Sequence, residues 1–394
     1  MDPIEPFEYD NAAGRIAFGC GTAADLGYLV REAGGERALV VCGEHVGANR
    51  ELMDPIEDGL GERYAGTFDG TTPDKSAAGA FDGVAAMDEH DADALVAVGG
   101  GSSIDLARAM RAIGAGERDA DELREHAAET GRLSIPDGDL ASLVAVPTTL
   151  AGADLSAGGS VTFDDEEDGD IVAGFSDPRL MPDALVYDPE LFETTPEGVL
   201  FGSAMNGFDK GLELPYARHA SPLTDATALR GLGLMAEALP DLPASDAMDA
   251  AVAGVVLVQY GQGNRGPGLL SVIHAFGHGL REEGVQQGIA HAVLAPPVLE
   301  LLFSAVDGRR DALADALGVD GEDDDATAAA VVERVAEVRD SMDLPTELRD
   351  LDAVERDALP GVAEYIYDDA TLDNGPEGFD PSVEDIEETL EDAW

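Results

Sequence analysis

The run Val96-Ala97-Val98-Gly99-Gly100-Gly101-Ser102-Ser103-Ile104-Asp105-Leu106-Ala107-Arg108 constrains the fold more than any other part of this 394-residue chain. A short apolar segment rich in valine and alanine meets three glycines and two serines, then a segment of helical periodicity. That order describes a buried strand, a tight turn and the start of a helix. Glycine lets the main chain approach an anion closely, and the N–H groups of the helix's first turn point at it. A diphosphate is the natural occupant, so the segment argues for a nucleotide cofactor. An ordinary strand-to-helix connection rarely needs three consecutive glycines.

The surrounding sequence repeats the pattern. Ala38-Leu39-Val40-Val41-Cys42, Ala94-Leu95-Val96-Ala97-Val98 and Leu143-Val144-Ala145-Val146 read as buried strands with helices between them. Such alternation implies a parallel sheet with helices on both faces. Ser160-Val161-Thr162-Phe163 and Ala184-Leu185-Val186-Tyr187 read as a further strand pair around the acidic turn Asp164 to Asp170. From Pro196 onward strand signals stop. Helices are expected at Leu223 to Leu239, Ser245 to Gln259, Leu269 to Leu280, His291 to Phe303 (interrupted by Pro296-Pro297), Ala326 to Met342 and Val383 to Trp394. The predicted fold class is therefore an α/β dinucleotide-binding domain over residues 1–190 and an all-helical catalytic domain over 191–394, with a cleft between them.

Charge narrows the setting. The chain carries 23 basic and 81 acidic residues, a net charge of −58, and only Lys75 and Lys210 are lysines. The acids are interspersed with apolar periodicity rather than gathered in a tail, so the chain is not a disordered polyanion. Dense carboxylates with lysine nearly absent suggest a protein that works in concentrated salt, where self-repulsion is screened. The same charge disfavours nucleic acid and anionic membranes as partners. Cys20 and Cys42 do not make a disulfide framework. Met1-Asp2-Pro3-Ile4-Glu5-Pro6 lacks the basic and apolar regions of a signal peptide. The best uncharged apolar run, Ala250 to Tyr260, is about half a membrane span. A soluble, cytoplasmic protein is expected.

Some motifs read better as ordinary structure. Gly19-Cys20-Gly21-Thr22-Ala23-Ala24 matches a dinucleotide fingerprint but is short enough to be a plain glycine turn before a helix. Asp164, Glu166, Asp168 and Gly169 resemble the start of a calcium loop, but Phe175 stands where the bidentate glutamate belongs. In Ala145-Val146-Pro147-Thr148-Thr149-Leu150-Ala151-Gly152-Ala153-Asp154, a strand ends in paired threonines at the sheet edge where ligands bind in such folds. Their hydroxyls serve equally well as cofactor contacts or as strand-end caps.

The helical half carries the polar constellation. Asn206 and Lys210 are four apart on one helix face, as are His274 with His278, and Gln287 with His291. Three of the seven histidines thus fall within eighteen residues. Two histidines at this spacing can share a metal, although a single such histidine is more often a satisfied buried one. A lysine in a chain that otherwise uses arginine is the sharper signal.

Together these pieces resemble the iron-containing alcohol dehydrogenase family, which shares its fold with glycerol dehydrogenases and dehydroquinate synthases. The resemblance covers nearly the whole chain. It rests on Gly99-Gly100-Gly101-Ser102 with Asp105, on Pro147-Thr148-Thr149, on Asp188-Pro189 and on the His274–His278 pair. Asn206, Tyr216-Ala217-Arg218-His219-Ala220-Ser221-Pro222, His291 and the ending Leu390-Glu391-Asp392-Ala393-Trp394 are similar to the maleylacetate reductase branch. The resemblance implies NAD or NADP as cofactor, held by Gly99, Gly100, Gly101, Ser102, Asp105, Thr148 and Thr149. It also implies a homodimer with a small-molecule substrate.

Family members usually hold a divalent metal with one aspartate and three histidines. Carried over by position, those ligands become Asn206, Lys210, His274 and Gln287, of which one survives. Asparagine and glutamine are poor ligands for iron or zinc, and an ammonium repels a dication. A rescue by His278 and His291 would leave no carboxylate in the set. The expectation is therefore a metal-independent oxidoreductase with Lys210, His274 and His278 as catalytic residues and no metal. Lys210 would supply positive charge to a developing alkoxide or anchor an anionic substrate such as an oxo-acid, and His274 or His278 would donate the proton. The alternatives are a metal-dependent alcohol or polyol dehydrogenase, a non-redox lyase or cyclase that uses NAD transiently, and a nucleotide-binding protein without catalysis. Gly43 leaves room for a 2′-phosphate while Glu44 repels one, so NAD and NADP both stay open.

Overall fold

The computed structural model describes residues 14–164, 169–262 and 268–394. Met1 to Pro6, and Glu166 and Asp168 of the acidic turn, lie outside the described residues. Among the described residues there are eight strands: β1 (Arg15–Phe18), β2 (Ala38–Val41), β3 (Tyr64–Phe68), β4 (Ala94–Gly99), β5 (Ser142–Pro147), β6 (Gly158–Phe163), β7 (Ile171–Ser176) and β8 (Ala184–Tyr187). Six form one sheet in the order β1-β8-β5-β4-β2-β3, with every neighbouring pair parallel. β2, β4 and β8 are buried along their whole length, which is why they read as unbroken apolar runs rather than alternating ones.

One strand pairing differs from expectation. Ala184–Tyr187 does not pair with 160–163; it inserts between β1 and β5 in the main sheet. The partner of β6 is β7, antiparallel, with Val161 opposite Ala173. Burial explains the difference. The β8 side chains are buried on both faces, as a central parallel strand requires, whereas β7 mixes buried with exposed positions as a hairpin strand does.

The β4–β5 register sets Gly99 opposite Pro147, so the triple-glycine turn and Thr148-Thr149 leave the sheet side by side at its carboxyl edge. At another turn, the Asp188 carboxylate accepts the Gly21 and Ala23 N–H groups at 3.1 and 3.0 Å, which anchors the Gly19–Ala24 glycine turn.

Contacts divide the chain into two compact units. One is the α/β unit, which ends at Thr195 and omits Leu150–Gly152; the other joins Leu150–Gly152 to Pro196–Trp394. Among its described residues the second unit contains helices and loops but no strand. Its helices include Glu197–Tyr216, Pro222–Ala238, Ser245–Gln262, Val272–Glu282, Gln287–Ala305, Asp324–Ser341, Leu359–Asp368 and Val383–Asp392. The Gln287–Ala305 helix starts four residues earlier than expected at His291 and runs through Pro296 and Pro297 without a break. Burial of Ala292–Pro296, Val298 and Leu299 outweighs the local proline penalty. By length and composition this is the one described helix that could cross a membrane, yet 67% of its apolar window is buried inside the protein.

Two helices of this unit meet main chain to main chain. A Cβ on Gly288 would lie 1.7 Å from the Gly202 carbonyl oxygen, so only glycine fits there. A Cβ on Gly207 would likewise lie 2.1 Å from the Leu150 carbonyl oxygen, which brings residues 150–152 against the Glu197–Tyr216 helix. The Leu150 N–H completes that contact by donating to Ser203 Oγ at 3.0 Å.

Candidate active site

In the α/β unit the glycine turn has the shape of an anion cradle. Gly99 has φ +127°, a conformation side chains rarely adopt. A Cβ on Gly100 would come within 3.3 Å of Thr149 Cγ2, and one on Gly101 within 3.2 Å of Ala153 Cβ. Gly100 caps the Gly101–Gly114 helix, whose first turn opens toward the cradle. Thr148 is held at both main-chain groups: its N–H donates to Gly99 O at 3.1 Å, and its carbonyl accepts from Thr195 Oγ1 at 2.7 Å.

Asp105 is bound on two sides. Its Oδ2 receives Lys75 Nζ at 3.1 Å and its Oδ1 receives Arg108 Nη1 at 3.0 Å. Lys75 also donates to Ser160 Oγ at 2.7 Å, from a left-handed backbone with φ 57°. Arg108 is fully buried and donates to the Asp154 carbonyl at 2.8 Å.

The helical unit holds a separate buried polar cluster. Along the Glu197–Tyr216 helix, Asn206, Asp209, Lys210 and Glu213 occupy positions i, i+3, i+4 and i+7, a polar stripe in an otherwise largely apolar segment. Lys210 is 5% exposed, and its ammonium donates to the carbonyls of Ala151 and Gly152 at 2.8 and 2.5 Å. Glu213 is fully buried and receives the N-terminus of the Val272–Glu282 helix: the His274 N–H donates to its Oε1 at 3.1 Å. The ring Nδ1 of His274 sits tightly on Glu213 Oε2 and lies 3.2 Å from Asp209 Oδ2.

His291 joins from the next helix. Its Nδ1 lies 3.1 Å from Asp209 Oδ2, and its Nε2 is 2.8 Å from the Gln287 side-chain nitrogen. A glutamine nitrogen only donates, so His291 Nε2 is the acceptor and the ring proton belongs on Nδ1, facing Asp209. Both nitrogens pack on Gly277, where a Cβ would lie 2.5 Å from each. The approaches to Asp209 lack hydrogen-bond geometry. Both Asp209 oxygens, His291 Nδ1, Asn206 Oδ1 and Gln287 Oε1 are buried without a hydrogen-bond partner.

Burial sets the protonation of this cluster. It pushes Asp209 well above the usual carboxylate range, aided by the charge of Glu213 and opposed by Lys210. It raises Glu213 to about 7 in spite of the N–H bonds from His274, Ser271 and Ile273. Burial also lowers His274 and His291 well below the usual imidazole range, and the Lys210 charge adds to the effect. The two acids are thus biased toward the protonated form and the two imidazoles toward the neutral one.

Of the expected catalytic residues, the structure brings Lys210 and His274 into one cluster. His278 stands aside, with its ring centroid 6.3 Å from that of His274 and its Nδ1 2.9 Å from Asp369 Oδ2. One expectation needs correction: a histidine rescue does not lack a carboxylate. Asp209, His274 and His291 each offer a ligand atom, all within 4.8 Å of one another and all buried. Asp209 belongs to none of the i, i+4 pairs, since it sits at i+3 from Asn206. The whole polar stripe was the available signal. Asp369 had none, being 91 residues from His278 in sequence.

Two family models divide the chain between them. "Iron-containing alcohol dehydrogenase" matches residues 13–189, and the C-terminal model of the same family matches 203–394. The chain belongs to the iron-containing alcohol dehydrogenase family. It is 26% identical to lactaldehyde reductase of Escherichia coli (strain K12) over 96% of this chain and 97% of that protein. It is 31% identical to maleylacetate reductase 2 of Cupriavidus pinatubonensis over 57% of this chain and 54% of that protein, in keeping with the branch its residues resemble. The solved structure of a 1,3-propanediol oxidoreductase matches with a TM-score of 0.87 at 22% identity, covering 99% of this chain and 100% of that one, which gives the fold. The chain is thus an oxidoreductase of this family.

Proposed function

We propose that this oxidoreductase is a metal-independent, NAD- or NADP-dependent enzyme that interconverts a small carbonyl compound and its alcohol, with an oxo-acid as the favoured substrate class. The observation that carries the reading is the buried Lys210 ammonium, which shares the pocket with two neutral imidazoles.

The cradle fits a dinucleotide. The φ of Gly99 favours glycine, Gly100 and Gly101 pack closely on Thr149 and Ala153, and a glycine turn of this kind at a helix N-terminus suits a phosphate. The pocket fits a resident divalent ion poorly. At the family's ligand positions stand two amides and a lysine beside His274. The triad of Asp209, His274 and His291 offers the right donor types, but the Gln287 side-chain nitrogen on His291 Nε2 leaves the ring proton on Nδ1, so His291 turns an N–H rather than a lone pair toward Asp209. The charge of Lys210 also falls on all three groups. Burial keeps Asp209 toward its acid form, which needs no counter-cation.

A bound reduced nicotinamide supplies a hydride. The chain's own part is to polarise the carbonyl and deliver a proton. The two main-chain carbonyls fix the Lys210 ammonium, so its charge needs no reorganisation as negative charge grows on the substrate oxygen. A carboxylate on the substrate is a second natural partner for the same charge. Family habit and the −58 charge support a homodimer working in a salt-rich cytoplasm.

One observation favours a second reading, in which the enzyme depends on metal: three buried ligand atoms within 4.8 Å of one another. Metal analysis of the purified protein, with NAD(P)H consumption measured in molar salt before and after chelation, separates the two. Full activity without bound metal is expected. Activity lost on chelation and restored by iron or zinc would overturn the proposal. Product formed without net cofactor consumption would point instead to a lyase or cyclase.

A further inference from the structure

Of the two histidines that start the Val272–Glu282 helix, the surroundings fit only one to exchange protons with a substrate. His274 is 3% exposed, and its Nδ1 is pressed between two carboxyl groups. The side chain of His278 is 27% exposed, one turn further along the helix, and its Nδ1 meets a single carboxylate, Asp369 Oδ2, at 2.9 Å. Asp369 follows the Leu359–Asp368 helix and is itself fixed: its Oδ1 accepts the Thr371 N–H at 2.7 Å. The hydrogen bonds from His278 and Thr371 keep this carboxylate below the usual range despite its burial, so it stays ionised.

We infer that Asp369 is a positioning residue that holds the His278 proton on Nδ1 and leaves Nε2 as the atom that exchanges a proton with the substrate oxygen. The inference rests on the reductase reading above and deepens it by separating His278 from His274. An ionised carboxylate accepts only, so the nitrogen facing it must carry hydrogen. In the reducing direction His278 enters as the imidazolium, Nδ1–H on Asp369 and Nε2–H outward. The hydride adds to the carbonyl carbon, the C=O π pair moves to oxygen, and that oxygen takes the Nε2 proton. His278 is left neutral with Nδ1–H still on Asp369. Oxidation runs the same transfers backwards. Asp369 never takes the proton; it fixes the ring and stabilises the imidazolium.

The test compares Asp369→Asn with Asp369→Glu in the full-length protein. Asparagine keeps an oxygen for the Thr371 N–H but can offer its amide nitrogen to His278 Nδ1, which forces the proton onto Nε2. Histidine-selective 15N spectra, with His278→Gln to assign the signal, are expected to show His278 as the Nδ1–H tautomer in the parent and as Nε2–H in Asp369→Asn. Loss of a correctly oriented general acid–base is expected to lower kcat by about 10²–10⁴-fold. The KM for cofactor should change less than about two-fold, and Asp369→Glu should recover part of kcat. An unchanged tautomer in Asp369→Asn, or a kcat within about three-fold of the parent once the tautomer has switched, would overturn the inference. If no carbonyl substrate is reduced at all, the reductase reading fails, while the spectra still decide whether Asp369 sets the tautomer.

Discussion

His291 Nδ1 lies 3.1 Å from Asp209 Oδ2, and neither residue is exposed to solvent at all. A charged pair so deep would have to offset the desolvation of both partners. Here burial biases each toward its neutral form, which relieves that cost. The Lys210 ammonium is then the permanent charge of this buried cluster.

Replacing Lys210 by methionine keeps most of the side chain's volume and removes the charge. We expect kcat to fall by about 10²-fold or more, as when an electrostatic stabiliser is lost from an oxyanion site. The carbonyls of Ala151 and Gly152 lose a donor, which should cost about 1–3 kcal/mol of stability. Steady-state kinetics with denaturant unfolding in the same molar salt separates the two effects. A variant that folds and retains near-parental kcat would remove Lys210 from the chemistry.

Gly277→Ala would set a methyl group 2.5 Å from both His291 Nε2 and the Gln287 side-chain nitrogen. Overpacking of this kind costs about 1–3 kcal/mol and should displace the imidazole from Asp209. Gly361→Ala is the matched control, since nothing lies within 4 Å of its added Cβ and the residue sits in the Leu359–Asp368 helix. It should be neutral or raise stability by up to about 1 kcal/mol. Paired thermal melts and activity assays check the contrast.

Glu213 gives a pH dependence of stability with a definite sign. Its folded value, about 7, lies above that of an unfolded glutamate. Below both values the group is protonated in either state; as pH rises the unfolded chain ionises first, so the stabilisation is lost up to about pH 7. Glu213→Gln mimics the protonated form and cannot titrate. Parent stability minus variant stability should therefore decline from about pH 4.5 to about 7 and then level off. Unfolding curves across that range, at fixed salt, measure the difference directly.

The parts of the fold that could be read from the sequence are those where a local pattern has one physical solution. Three glycines after a buried valine run admit little besides a turn onto a helix, and β4 followed by the Gly101–Gly114 helix is that turn. Ala184–Tyr187 was legible as a strand but not in its pairing, because four apolar residues carry no register information. At the candidate site, Lys210 and His274 stood out by rarity and spacing. Glu213 and Asp369 did not, because each acts through a partner 61 and 91 residues away, and no local pattern encodes such a distance.

The contact between Gly202 and Gly288 has a consequence for the whole pocket. Because the two helices touch through main-chain atoms, their separation does not depend on which side chains line the space beyond the contact. A residue change at Asn206, Lys210 or Gln287 alters the donors offered to the interior while the walls stay in place. The scaffold behaves like a mount with interchangeable fittings, so its reactivity can be rewritten one side chain at a time without the fold having to be found again.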